Sequence, residues 1–104
     1  MSSHYVVQKA ARDDVRRIAR SLNASQAGVG SEFATAVDQT IRWLLQSPEL
    51  GEFADGWAGR ASPIRRWPVK RFGSHQLFYR QIGGGIEVVR VRHAAEDWQA
   101  DLFE

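Results

Sequence analysis

No cysteine occurs anywhere in the chain, so neither a disulfide framework nor a Cys-based zinc site can hold it together. Nothing in its chemistry favours an oxidising compartment. Long apolar runs are also missing. No stretch approaches the ~18–20 apolar residues that a membrane-spanning helix needs, and the opening residues, MSSHYVVQKAARDD, hold no apolar signal core. A cytoplasmic protein with no membrane partner is expected. Acid is scarce in one place only. From Arg60 to His93 a single Glu87 stands against eight bases: Arg60, Arg65, Arg66, Lys70, Arg71, Arg80, Arg90 and Arg92. The formal net charge is only +2, because residues 1–59 carry six bases and seven acids and residues 94–104 add four acids and no base. A locally strong positive field on a nearly neutral chain is the electrostatic footprint of an acidic partner.

With 104 residues, the chain is expected to form one domain, 1–104, with a single core. Its 43% hydrophobic and 25% charged content is that of an ordinary globular protein. The basic stretch 64–93 reads as three strands of one sheet. Gly83 to Gly85 separate two runs rich in aromatic and β-branched residues, a strong hairpin signal. Pairing Ile82 with Ile86 puts partners of equal parity on one face. His75, Leu77, Tyr79, Val89, Val91 and His93 then share an apolar face suited to packed helices. Gln76, Phe78, Arg80, Val88, Arg90 and Arg92 share the other, which presents three arginines.

Before this sheet, residues 4–8 read as an outer strand. A helix over roughly 10–22 follows, with a stripe of Ala11, Val15, Ile18, Ala19 and Leu22. The pattern breaks at Asn23 to Ser25, and Ser25 is the expected N-cap of a second helix running to about Gln46, striped by Phe33, Val37, Ile41, Leu44 and Leu45. Ser47-Pro48 ends it. Residues 47–61 read as a loop, with Trp57 as a lid on the core. Residues 62–71 are the first basic strand, placed at an edge or bulge by Pro63 and Pro68. AAEDWQADLFE is expected to form a short acidic C-terminal helix with Trp98 and Leu102 inward. The expected fold is therefore α+β, in the order β-α-α-β-β-β: an N-terminal strand, then an antiparallel helical hairpin packed on one face of a small, mainly antiparallel sheet.

These residues resemble the ParE/RelE superfamily of bacterial toxins from type II toxin–antitoxin modules, over nearly the full chain. The resemblance lies in Tyr5-Val6-Val7 leading into Ala10-Ala11-x-x-Asp14-Val15-x-x-Ile18, and in Leu44-x-x-Ser47-Pro48-Glu49-Leu50-Gly51. It continues in Ile64-Arg65-Arg66, His75-x-x-Phe78-Tyr79-Arg80 and Ile86-x-Val88-x-Arg90-Val91-x-His93. Phe78-Tyr79-Arg80 and Arg90-Val91-Arg92-His93 are closer to the ParE branch. That branch implies a toxin that poisons DNA gyrase and blocks replication, held in check by a ParD-like antitoxin, with operator DNA reached only through the antitoxin. The RelE branch instead implies a ribosome-dependent mRNA endoribonuclease, and fold alone does not choose between the two.

A metal-independent nuclease must activate a 2′-hydroxyl, protonate the leaving oxygen and stabilise a pentavalent phosphate, which calls for an acid/base pair and arginines. For that chemistry the residues are Arg65, Arg90 and His93. Glu87 and His93 fall on the odd face, away from the arginines. The resemblance to ribosome-dependent relatives implies a His-Tyr pair or terminal tyrosine near the last strand, whereas here Ala94 follows His93 and no tyrosine follows Tyr79, a departure that favours the gyrase branch. For binding a target or antitoxin the surface is Arg65, Arg66, Lys70, Arg71, Phe78, Arg80, Arg90, Arg92 and His93, with Phe78 suited to a stacked base or an antitoxin side chain. His75 and His93 face each other, but no third ligand lies at suitable spacing, so no metal and no cofactor are expected.

Overall fold

A computed structural model describes residues 4–54, 56–57 and 59–95. The elements are β1 (His4–Val7), α1 (Lys9–Ser25), α2 (Val29–Gln46), a 3-10 turn (Pro48–Leu50), β2 (Glu52–Phe53), β3 (Arg65–Val69), β4 (Phe72–Ile82) and β5 (Gly85–His93). They form the expected α+β architecture around a five-stranded sheet in the order β1-β5-β4-β3-β2. β1 runs parallel to β5 and the remaining pairs are antiparallel. The expected C-terminal helix, with Trp98 and Leu102, lies outside the described residues.

The helical stripes bury as their spacing predicts. Ala11 and Ile18 of α1 join Phe33, Ala36, Val37, Ile41 and Leu44 of α2 against Leu77, Tyr79, Ile86, Val88 and Val91 of the sheet. Phe33 meets Phe72 edge-on, with ring centroids 5.2 Å apart. The helix boundary differs from expectation. α1 continues through Ser25, and Ser25 does not cap α2. The capping bond comes from Asn23, whose Oδ1 accepts the Gly30 N–H at 2.8 Å from within the last turns of α1. Tertiary proximity thus supplies the acceptor that local sequence assigned to Ser25.

Residues 47–61 are more ordered than a plain loop, because they contain the 3-10 turn and β2. Strand β3 spans 65–69, shorter than 62–71, and its pairing shifts between Pro68 and Val69, where proline has no N–H to give.

The β4–β5 hairpin departs from the expected register near its turn. Ile82 pairs with Gly85, not Ile86, across the two-residue turn Gly83-Gly84, with Gly84 at φ +79°. The third glycine serves β1 instead. A Cβ at Gly85 would fall on the His4 carbonyl oxygen, so only glycine admits the parallel strand there. The register then slips between Phe78 and Tyr79, and from Phe78↔Arg90 outward to His75↔His93 it matches expectation. Val89 is the extra residue of this β-bulge. Val88 consequently faces the helices and Val89 the opposite side, the reverse of the strict alternation.

Candidate functional site

The sheet face away from the helices is built from the alternate residues of β3, β4 and β5. Arg66 pairs with Phe78, Gln76 with Arg92, and Arg80 with Glu87. Phe78 does not stand exposed among the arginines as the sequence suggested. It is fully buried in a second small cluster with Ala54, Ile64 and Val89, and Trp57 packs against them. The segment between β2 and β3 therefore covers the middle of this face, with the Arg60 guanidinium 5.2 Å from the Trp57 ring centre. Trp57 is the lid expected of it, on the second cluster rather than the main core.

Around that lid the charges are organised. Arg80 donates to Glu87 at 2.6 Å, and Arg66 donates to Glu52 at 2.8 Å. The expected separation of Glu87 from the arginines is thus overturned, because the bulge puts Glu87 directly across from Arg80. Burial alone would raise the Glu87 carboxyl, but hydrogen bonds from Arg80 and Gln8, with the Arg80 charge, hold it below its ordinary 4.5. Strand pairing gathers Arg66, Arg80, Arg90 and Arg92 on this face, and of these four Arg90 sends its guanidinium away to Asp14.

The remaining sequence candidates lie elsewhere. Arg90 turns to the sheet edge, where its Nε and Nη2 donate to Asp14 at 2.7 and 2.9 Å. Asp14 also accepts the Val91 N–H at 3.0 Å, and its side chain is only 5% exposed. A two-pronged guanidinium–carboxylate pair of this kind fixes both partners in direction as well as distance. Arg65, opposite Tyr79, points to the 3-10 turn. It donates to the carbonyls of Glu49 at 3.1 Å and Gly51 at 2.7 Å, and its guanidinium lies 4.2 Å from the centre of the Phe53 ring. Lys70 and Arg71 occupy the exposed β3–β4 turn, with Arg71 at φ +67°. His93 faces His75, ring centroids 5.1 Å apart, and its Nδ1 accepts the Ala95 N–H at 3.0 Å. Arg65, Arg90 and His93, the nuclease candidates, are thus each engaged in a separate set of contacts.

Two functional supports were not anticipated. Asp14 is the first, although its position was a signal: three residues after Ala11 and four before Ile18, it sits on the buried stripe of α1, where a carboxylate must find a partner. Tyr79 is the second. Its hydroxyl donates to the Pro48 carbonyl at 2.6 Å and accepts the Gly51 N–H at 2.9 Å, tying the 3-10 turn to the middle of the sheet. Burial pushes this hydroxyl up from its ordinary 10, against the lowering effects of the Gly51 bond and the Arg65 charge. A Cβ at Gly51 would stand 2.5 Å from that oxygen, so the motif Ser47-Pro48-Glu49-Leu50-Gly51 needs its glycine for close approach.

Among the described residues no group of three or more His, Asp or Glu could hold a metal ion, and no helix is long and apolar enough to cross a membrane. These features define a class of protein: a small α+β fold in which a helical hairpin covers one side of a mixed sheet and arginines collect on the other. The chain belongs to the ParE toxin family of type II toxin–antitoxin systems, parDE, whose family model matches residues 5–98. Among solved structures it is similar to a chain of the chromosomal ParDE TA system from P. aeruginosa, with a TM-score of 0.69 over 89% of this chain and 96% of that one. At 15% sequence identity that likeness speaks for the fold alone. No curated protein matches the sequence. This chain is therefore a toxin component, and its family implies an antitoxin partner.

Proposed function

We propose that this toxin acts in the cytoplasm by binding DNA gyrase and blocking replication, and that a ParD-like antitoxin neutralises it by engaging the arginine face. The observation that carries the reading is the ParE family match across residues 5–98. The arginine face supports it in physical terms. Arg66, Arg80 and Arg92 offer planar, multiply donating cations suited to carboxylates of a protein partner. Operator DNA is reached through the antitoxin in this scheme.

The alternative, a RelE-like ribosome-dependent nuclease, draws on one observation, the placement of Glu87 beside Arg80. A general base works best with a pKa near the working pH. Glu87 is instead held below the ordinary carboxylate value, and Arg90 already grips Asp14. Both features favour binding over catalysis.

The deciding experiment is pulse-labelling of DNA and protein synthesis within minutes of inducing the chain in a bacterial host without antitoxin. DNA synthesis is expected to fall first, and purified toxin is expected to inhibit supercoiling by purified gyrase. Arrest of protein synthesis while DNA synthesis continues would replace this reading with the nuclease one.

A further inference from the structure

On the reading that the toxin works by binding a protein, we propose that the cleft between α2 and β3 is where it grips that target, taking an acidic segment that inserts one large apolar side chain. The cleft has a volume of about 350 Å³ and is lined by Gln39, Thr40, Trp43, Trp67 and Lys70, room enough for such a side chain. Gln39 and Trp43 stand four residues apart on α2 and so share one face of the helix. Trp67 pairs with Leu77 on the helix side of the sheet and packs, partly buried, against the main core. Trp43 is 58% exposed, more than any other large apolar side chain among the described residues. Tryptophans of this kind carry much of the energy in protein interfaces. The Gln39 side-chain oxygen is buried without a hydrogen-bond partner, a cost that an entering N–H would offset.

Charge selects the occupant. Lys70 and Arg71 form the exposed turn beside the cleft, and among the described residues neither joins an ion pair. Arg66, Arg80 and Arg90, by contrast, already hold Glu52, Glu87 and Asp14. Uncommitted positive charge therefore stands at this turn, and no acid lines the cleft. The turn is also fixed in place. The buried Thr40 hydroxyl donates to the Ala36 carbonyl at 2.7 Å and accepts the Lys70 N–H at 3.0 Å. A site ordered before binding loses little entropy on docking. Arg71 sits at φ +67°, where glycine or asparagine is at ease and arginine is not, and a cation kept in such backbone points to function. Two cations at one turn do not trace a phosphate backbone, and the walls are largely apolar, so a protein segment suits the cleft better than a nucleic acid. The neighbouring cleft at Arg66 shares Trp67 as a wall. An antitoxin seated on Arg66 thus reaches the margin of this site and can obstruct the target by bulk.

Trp43→Ala and Lys70→Glu test the cleft. Both positions are exposed, so the fold should persist, with urea unfolding as the check. Arg20→Glu, at an exposed position of α1, controls for the change in charge. In supercoiling assays with purified gyrase, half-inhibition should need ~30-fold more Trp43→Ala than wild type, as for a hot-spot tryptophan. It should need roughly tenfold more Lys70→Glu, and no more Arg20→Glu. Equal potency of folded Trp43→Ala and wild type would overturn the proposal. If wild-type toxin leaves gyrase active, the gyrase reading alone fails, and growth arrest at equal toxin level decides the cleft. Arrest retained by folded Trp43→Ala overturns it; arrest lost supports it for another protein target. Two further results would overturn it: oligothymidylate binding by the wild type that Trp43→Ala loses, or a Trp43→Ala toxin that inhibits normally yet escapes purified antitoxin.

Discussion

Replacing the buried Asp14 with alanine should destabilise this toxin more than any other single loss of a charge. The carboxylate accepts Arg90 Nε at 2.7 Å, Arg90 Nη2 at 2.9 Å and the Val91 N–H at 3.0 Å, with a long fourth contact to Arg17 Nη2 at 3.5 Å. Arg17 is 54% exposed, so its share is small, at most a few tenths of a kcal/mol. Leaving the Val91 N–H without an acceptor costs ~1–3 kcal/mol. Stranding a guanidinium that is only 23% exposed brings the total to ~3–5 kcal/mol, the usual cost of breaking a buried pair from one side. The terms share one carboxylate and do not simply add. For a domain of this size each kcal/mol lowers Tm by ~4–8 °C, so a loss of well over 10 °C is expected. Asp14→Asn retains an oxygen for Val91 and should lose about half as much. Urea unfolding followed by circular dichroism measures each variant, and Arg90→Gln combined with Asp14→Asn closes a double-mutant cycle. A coupling of ~1.5 kcal/mol or more is expected, within the range for contacting residues. A cost below ~1 kcal/mol for Asp14→Ala, with the Val91 amide still protected from hydrogen exchange, would refute the edge-clamp reasoning and return Arg90 to the partner surface.

Tyr79→Phe should cost ~1–3 kcal/mol in urea unfolding, because the Pro48 carbonyl and the Gly51 N–H both lose their partner. Since folding raises the Tyr79 pKa, its contribution is complete below the ordinary 10 and declines as pH rises above that value; Tyr79→Phe should flatten the alkaline limb of the stability curve. Glu87→Gln should flatten the acid limb. Folding lowers that carboxyl, so its stabilisation is present above the ordinary 4.5 and is lost as pH falls below it. The Arg80 side chain is 37% exposed, so screening keeps this effect to ~1 kcal/mol or less in acid-denaturation profiles. Gly85→Ala should dislodge β1, read as fast hydrogen exchange at the Gln8 amide, which donates to the Val88 carbonyl at 3.0 Å.

Most of the fold was legible because it rests on periodic burial. The stripes from Ala11 to Leu22 and from Phe33 to Leu44 could only be helical, and the runs on either side of Gly83-Gly84 could only pair with each other. What escaped is non-periodic. A single extra residue at Val89 reverses which valine faces the helices, and the adjacent pair Val88-Val89, breaking the polar alternation, was its only trace. The burial of Phe78 depends on Ala54, Ile64 and Trp57, residues in a connection with no repeating pattern to announce where it folds. Asp14 was visible as an acid on an apolar stripe. Its partner stands 76 positions away in sequence, beyond any local rule. Of the expected arginines, Arg66, Arg80 and Arg92 gather on one sheet face, while the side chains of Arg65 and Arg90 serve as internal fasteners.

The clamp between Asp14 and Val91 also governs how the molecule behaves toward other polypeptides. β1 stops at Val7, so its pairing covers β5 only as far as Val88, and among the described residues no strand pairs with the outer half of β5 on that side. Such a flank is a template on which a foreign chain can crystallise into sheet. Here a side chain from α1 takes the Val91 donor that an invading strand would seek, and Arg90 locks that side chain in position. The flank is in effect insulated, and a polypeptide extending the sheet along it would first have to unseat an ion pair.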